Sequence, residues 1–164
     1  MAFRPFQRVQ IDLMEIRPTG ANGETHILTA LCVATRYPFF RTVVGRDQIL
    51  VAIQLFDIIL DAGLVPQIIH SDNEFVSLVL EELTSLLGSC QLFSTALRPQ
   101  SLGADERSHR DIRAGLGILI DAFARANPRS WPQHVRYLEA KARHRKNSAT
   151  NTTPYQAFHG CSGM

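Results

Sequence analysis

The sequence has few cysteines and no long apolar run. Only three of its 164 residues are cysteine, and Cys32, Cys90 and Cys161 lie far apart without CxxC spacing. This spacing excludes a disulfide framework and a cysteine zinc knuckle, so we expect three small buried apolar side chains. No stretch approaches the roughly twenty apolar residues of a membrane span, and the N-terminus lacks the apolar core of a secretory signal. A soluble, intracellular protein is predicted.

Length and charge set modest limits on the kind of protein. A chain with 45% apolar content and this length can bury one core, so we expect a single domain, residues 1–164, whose tail 147–164 packs as a short terminal helix. From Arg98 onward, 11 Lys and Arg stand against 5 Asp and Glu, whereas the preceding part has 6 against 10. Clustered cations suit a polyanionic partner because they release counterions from phosphates. An ordinary solvated helical surface has the same charge pattern.

Strand-like and helix-like patterns alternate along the chain and predict an α/β sheet. The first three strands are short β-rich runs separated by turns, which favours an antiparallel meander. The first helix carries one apolar stripe, Ile49, Ile53, Phe56 and Leu60, and is typical of a crossover helix. The predicted strands are Gln7–Ile16, Ile27–Ala34, Phe39–Val44, Gln67–Ser71 and Gln91–Ala96. The predicted helices are Asp47–Ala62, Leu78–Leu87, Ala104–Ala126, Ser130–His144 and one starting at Thr153-Pro154.

Three acidic residues occupy informative places in this layout. Asp12 lies mid-strand, Asp72 follows the buried run of the fourth strand, and Glu106 begins the long helix. If the first and fourth strands are neighbours, the two aspartates emerge on one rim of the sheet, where the helix start can bring Glu106. Oxygen ligands on rigid elements suit Mg²⁺ or Mn²⁺, and without a cation the carboxylates would repel one another. Two such ions activate a nucleophile and stabilise the leaving oxygen of an in-line phosphoryl displacement.

Each of these acids also has an ordinary explanation. A lone aspartate such as Asp12 usually faces solvent, and Asp72 could cap the following helix because Ser-Asp-Asn is common turn chemistry. Glu106 could be a first-turn acid favoured by the helix dipole, with Asp105 as a competitor for its role. Glu74 is a further candidate beside Asp72. The order and spacing of the three acids favour the metal site.

The whole chain resembles the catalytic core of integrases from long-terminal-repeat retrotransposons and retroviruses, nearer to gypsy-like elements than to lentiviruses. The segments that carry this resemblance are FRPFQRVQIDL, HILTALCVATRYPFF, LVPQIIHSDNEF, STALRPQSLGADERSHRDIR and NSATNTTPYQAFHG. The resemblance implies a ribonuclease H-like fold, with a five-stranded mixed sheet flanked by helices. It also implies that Asp12, Asp72 and Glu106 bind two Mg²⁺ or Mn²⁺ ions for DNA end processing and strand transfer. A nuclear homo-oligomer that acts on element ends and target DNA is the corresponding expectation.

One departure from the family pattern follows Asp72. The family has a Gly-containing pair between the Asp-Asn and the Glu-Phe of this motif, whereas this chain runs directly from Asn73 to Glu74. The 33 residues between Asp72 and Glu106, positions 73 to 105, compare with about thirty-five in the family. We expect the fold to persist and the shortened turn to reduce activity. The alternative is an inactive or domesticated core that acts in DNA binding or protein association; a ribonuclease H-type nuclease is disfavoured by the loop and tail motifs.

Cations follow the third acid along one helix face. His109, Arg110 and Arg113 lie three, four and seven positions after Glu106, so they share its face. Contact with DNA phosphates is the favoured role, and ion pairing with Asp111 or Glu106 is the alternative.

Other polar and aromatic residues are weaker candidates. Gln100 and Ser101 lie in the polar loop before the long helix and are further candidates for touching DNA. Trp131 and Tyr137 are predicted to be core residues, and none of the histidines shows the pairing of a zinc site. A generally basic surface is predicted for Arg98, Lys141, Arg143, Arg145 and Lys146.

Overall fold

Five strands form one mixed sheet in the computed structural model, which describes residues 4–72, 75, 77–93, 110–111, 113–115, 117–118, 121–122, 127–147 and 151–160. The sheet order is β3-β2-β1-β4-β5, with β1, β2 and β3 antiparallel and with β4 and β5 parallel to β1. The strands are β1 Arg8–Glu15, β2 His26–Cys32, β3 Pro38–Val43, β4 Ile68–Ser71 and β5 Cys90–Phe93. The predicted α/β class and five-stranded mixed sheet are confirmed.

Helices cover the two faces of the sheet. Every described residue between 110 and 122 is helical, and these residues belong to α3. None of the described helices is long and apolar enough to cross a membrane. The remaining helices are α1 Gln48–Ala62, α2 Leu78–Leu87, a 3₁₀ helix Pro128–His134, α4 Val135–His144 and α5 Pro154–His159.

Side-chain caps fix the helix ends that the sequence predicts. The Asp47 carboxylate accepts hydrogen bonds from the first turn of α1, and Gly63 ends that helix in the left-handed conformation that glycine adopts at low cost. Ser77 caps α2 in the same way. Thr153 and Gln156 form a reciprocal capping box at the start of α5.

Two hydrophobic clusters lie on opposite faces of the sheet. Val9 and Ile11 of β1 face the larger cluster, in which the buried residues of α1 and α2 pack. Met14 faces the smaller cluster with Trp131 and Leu138 from the segment after α3. Alternate residues of β1 therefore face different layers, and Asp12 shares a face with Met14 because strand side chains alternate.

The apolar stripe predicted on α1 faces outward. Ile53 is 55% exposed and Leu60 is 64% exposed, and Ile49 and Phe56 are exposed as well. The buried face consists of Val51, Ala52, Leu55, Ile58 and Ile59. The helix is apolar on both sides, so its periodicity alone does not select the side that contacts the sheet.

Several smaller expectations are corrected. Cys90 is exposed, although Cys32 is buried as expected, and Cys161 lies outside the described residues. Tyr137 is 59% exposed, whereas Trp131 is fully buried as predicted. The helix expected from Ser130 begins instead as a 3₁₀ helix at Pro128, because Pro132 lies inside this segment and has no N–H to donate to a regular helical hydrogen bond.

Arg143 is not part of a basic surface. Its guanidinium carbon lies 4.4 Å from the ring centre of Tyr37 and 4.9 Å from that of Phe39, and its side chain is largely buried. Phe158 of α5 stacks on the Tyr37 ring, with 4.4 Å between the two ring centres. These contacts attach the C-terminal helix to the connection between β2 and β3.

Candidate active site

The two aspartates lie on neighbouring parallel strands. β1 pairs with β4 in a register that joins Val9 to Ile69 and Gln10 to His70. Continuing this register by two residues on each strand brings Asp12 level with Asp72, at the carboxyl end of β4. Because paired residues of parallel strands point to the same side, the alternation places both aspartates on the face of Gln10 and His70. The predicted adjacency of the two strands is confirmed.

Asp12 is fixed from within the central strand. It pairs with Thr29 of β2 on one side, and the Thr29 hydroxyl donates to the Asp12 carbonyl oxygen at 3.3 Å. Its carboxylate Oδ1 accepts a hydrogen bond of 2.7 Å from the backbone N–H of Leu13. Leu13 lies beyond the last residue of β1 that pairs with β4. The Asp12 carboxylate therefore accepts from a backbone N–H that has no partner on β4. One oxygen of Asp12 is therefore oriented at the rim.

Asp72 begins a tight turn immediately after β4. Its carbonyl oxygen accepts a hydrogen bond of 3.3 Å from the N–H of Phe75, which is fully buried in the larger core. The preceding residue, Ser71, is buried as well. Asp72 itself is half-buried, and its backbone is held between these two buried residues.

His70 precedes this turn on β4. Burial lowers the pKa of its imidazole, and the nearby charge of Arg8 lowers it further. The neutral ring is therefore favoured at neutral pH.

The third predicted acid, Glu106, lies outside the described residues, as do the candidates Gln100, Ser101 and His109. Within the described ranges, no group of three His, Cys, Asp or Glu side chains is placed to hold a metal ion. The donor chemistry of Asp12 and Asp72 nevertheless fits a hard divalent ion, because both supply carboxylate oxygens from the same rim of adjacent strands. The two aspartates would hold Mg²⁺ or Mn²⁺ there, and the third ligand remains a prediction.

The two arginines predicted to contact DNA are exposed on α3. Arg110 and Arg113 form no ion pair with any residue that the structure describes, and Asp111 between them pairs with Arg145 at 3.3 Å. Asp111, the alternative ion-pair partner suggested for these arginines, therefore pairs with Arg145 instead. Arg110 and Arg113 remain candidates for phosphate contact.

Sequence reasoning missed one residue near Asp72. Gln91 of β5 donates from its amide nitrogen to the Ser71 hydroxyl at 3.2 Å and to the Phe75 carbonyl at 3.3 Å. A single glutamine in a short strand gives no sequence signal for this role. The strand order reveals it, because β5 lies directly beside β4.

The chain is similar to segments of two Pol polyproteins. No family model matches it. The retrovirus-related Pol polyprotein from transposon 412 of Drosophila melanogaster is 25% identical over 157 residues, which is 94% of this chain. The Gag-Pol polyprotein of feline leukemia virus is 30% identical over 118 residues, or 71% of this chain. The chain spans only 12% of the first relative and 7% of the second.

Solved structures share the fold across nearly the whole chain. The catalytic core domain of BIV integrase matches with a TM-score of 0.75 at 19% identity over 93% of both chains. A chain of the simian T-cell lymphotropic virus intasome in complex with PP2A regulatory subunit B56 gamma matches with a TM-score of 0.79 at 15% identity, covering 95% of this chain and 55% of that one. The chain is therefore a relative of the Pol polyproteins of retrotransposons and retroviruses, and its ribonuclease H-like fold is that of retroviral integrase catalytic cores.

Proposed function

We propose that the chain is the catalytic core of a DNA-integrating enzyme, a metal-dependent polynucleotidyl transferase that processes DNA ends and transfers strands. The observation that carries this proposal is the parallel register between β1 and β4, whose continuation by two residues would bring Asp12 level with Asp72. The kinship with Pol polyproteins and the integrase-core fold support it.

The residues of the site have distinct roles in this proposal. Asp12, Asp72 and Glu106 bind Mg²⁺ or Mn²⁺, and hydrogen bonds with Leu13 and Thr29 hold Asp12 in place. A bound pair of ions supplies activation of the attacking oxygen and charge stabilisation of the leaving oxygen. Arg110 and Arg113 bind phosphates beside the site and set the position of the DNA rather than its sequence.

The test is metal-dependent joining or disintegration on a branched DNA substrate. We expect the wild-type chain to act with Mn²⁺ and less well with Mg²⁺. Asp12→Asn and Asp72→Asn should each lose roughly 1000-fold in rate, which corresponds to about 4 kcal/mol of transition-state stabilisation. Glu15→Gln is the matched control, because this exposed carboxylate on the same strand pairs with Arg17 at 2.9 Å. Activity that is independent of metal, or equal loss in all three variants, would refute the proposal.

A catalytically inactive core that binds DNA or protein is the second candidate. The shortened connection after Asp72 favours it, because removal of two residues beside a metal ligand reorients its carboxylate. This candidate predicts DNA binding without Mn²⁺ affinity or metal-dependent cleavage. Calorimetric titration of the folded chain with Mn²⁺ separates the two functions.

The partners of the protein follow from the same proposal. We propose that it acts on element ends and target DNA in the nucleus, as an oligomer, because joining two DNA ends to a target requires more than one active site. The exposed stripe of α1, defined here as Ile49, Ile53, Phe56 and Leu60, supports self-association, since isolated domains rarely expose a long continuous apolar face.

A further inference from the structure

Gln91 connects the two ends of the turn that contains Asp72. Its amide nitrogen donates to Ser71 Oγ, one residue before Asp72, and to the Phe75 carbonyl, three residues after it. Both contacts come from β5, the strand at this edge of the sheet. One half-buried side chain thus bridges the start and the end of the turn.

This bridge constrains the backbone of Asp72. Ser71 ends β4 and is buried, and Phe75 is anchored in the larger core, so neither end of the turn moves independently of the sheet. The hydrogen bond from the Phe75 N–H to the Asp72 carbonyl closes the turn between them. The direction of the Asp72 carboxylate depends on the backbone of Asp72, which lies between these two anchored residues, and catalytic geometry tolerates deviations of only about 10–20°.

We propose that Gln91 is a positioning residue for the Asp72 carboxylate, acting through the two ends of the turn. This inference rests on the proposed function, because it assigns Asp72 to metal binding. The chain has two fewer residues here than the family pattern, so its turn has less length with which to reach a suitable orientation. From the neighbouring strand, the Gln91 amide holds Ser71 and Phe75, the described residues on either side of this shortened connection.

Replacement of Gln91 by methionine tests the proposal. Methionine has nearly the same length and no amide, so Gln91→Met removes both hydrogen bonds and leaves a side chain that fills the space. Residues that orient a metal ligand contribute about 10–100-fold to metal affinity or activity. We expect the dissociation constant for Mn²⁺, measured by titration with Mn²⁺ alone, to rise at least about tenfold, and kcat on DNA to fall while KM for DNA stays unchanged.

Gln67→Met is the matched control. Gln67 lies just before the opposite end of β4, and its amide oxygen accepts a hydrogen bond of 2.8 Å from Gln7. This substitution also removes a hydrogen bond made by a side-chain amide beside β4, so it controls for a general loss of sheet stability. Its Mn²⁺ affinity should equal that of the wild type.

Ser71→Ala provides a second variant with little risk to folding, because it removes only the hydroxyl group. We expect Ser71→Ala also to weaken Mn²⁺ binding. In the double variant with Gln91→Met, the dissociation constant for Mn²⁺ should rise by less than the product of the two single increases, because both substitutions remove the same hydrogen bond. Should Gln91→Met fail to unfold cooperatively, Ser71→Ala decides the question.

The outcomes separate this inference from the proposed function. If Asp72→Asn loses Mn²⁺ affinity while Gln91→Met and Ser71→Ala retain it, the positioning role is refuted and the proposed function stands. If Asp72→Asn retains wild-type Mn²⁺ affinity and joining activity, the proposed function fails and the role of Gln91 fails with it. Equal loss of Mn²⁺ affinity in Gln91→Met and Gln67→Met would also refute the positioning role.

Discussion

The carboxylate of Glu139 on α4 accepts a hydrogen bond of 2.6 Å from the backbone N–H of Phe40 on β3. β3 is the edge strand of the sheet, where outward N–H groups lack a strand partner. Glu139 is only 1% exposed, and its oxygens also contact the guanidinium groups of Arg41, Arg136 and Arg143 at 3.0 to 3.1 Å. A buried charged group thus joins α4 to the edge of the sheet.

Loss of this carboxylate should destabilise the protein strongly. Removing one partner from a buried ion pair leaves uncompensated charge and costs about 3–5 kcal/mol. We expect Glu139→Ala to lower the free energy of unfolding by roughly 3 kcal/mol in urea denaturation. Glu82→Ala, on the exposed face of α2, should change it by less than about 0.5 kcal/mol. A similar small effect for both variants would contradict the importance of Glu139.

The same network predicts a dependence of stability on pH. Burial raises the pKa of the Asp61 carboxyl, but its hydrogen bond with Arg41 and the charges of Arg41, Arg136 and Arg143 outweigh burial, so the pKa lies below its usual 3.8. A lowered folded pKa means that this stabilisation is fully present above about pH 3.8 and is lost as the pH falls through the folded value.

Asp61→Asn removes that titration. The wild type should therefore be more stable than Asp61→Asn at pH 7, and the difference should shrink below about pH 4. Because the Asp61 side chain is 38% exposed, solvent screening limits the difference at pH 7 to about 1 kcal/mol. Thermal unfolding at a series of pH values measures it. A difference that stays constant from pH 7 to pH 3 would show that Asp61 does not act through its charge.

DNA binding should depend on Arg110 and Arg113. Each phosphate contact contributes about 0.9 to the slope of log affinity against log salt concentration, so replacing both arginines with alanine should reduce the slope by up to about two. Fluorescence anisotropy with duplexes of two unrelated sequences measures this, and both sequences should respond equally. Arg17→Ala, which removes an exposed arginine paired with Glu15, should leave the slope unchanged. An unaltered slope in the double variant would assign both arginines to the ordinary helix surface.

Self-association should depend on the exposed stripe of α1. Ile53→Asp places a charge in its centre at a position that is already exposed, so the fold should persist while association weakens. We expect sedimentation velocity to show a shift toward monomer. Leu86→Asp is the control, because Leu86 is 86% exposed on α2. A variant that associates as strongly as the wild type would exclude this stripe from the interface.

Periodicity and capping residues predicted most of the fold. Alternation in β1 and the helix starts at Asp47 and Thr153 depend on local interactions, which the sequence displays directly. The adjacency of Asp12 and Asp72 depends on strand order, for which the family resemblance was the guide.

Longer-range contacts were not predictable in the same way. The orientation of α1 was not, because apolar residues cover both of its sides. The burial of Arg143 was also hidden, since its partners Tyr37 and Phe39 lie about a hundred positions earlier in the chain. The role of Gln91 could not be predicted either, because a hydrogen bond between side chains of neighbouring strands produces no periodic pattern in the sequence.

The two aspartates differ in how firmly the sheet holds them. Asp12 lies on β1, the central strand, which has β2 on one side and β4 on the other, whereas Asp72 follows a strand of four residues. Amides near Asp12 should therefore exchange with solvent only through global unfolding, and those near Asp72 through smaller local openings. In the proposed metal site, the amides beside Asp12 should thus exchange slowly and those beside Asp72 should exchange faster. On gradual heating, its geometry should be lost before the sheet melts.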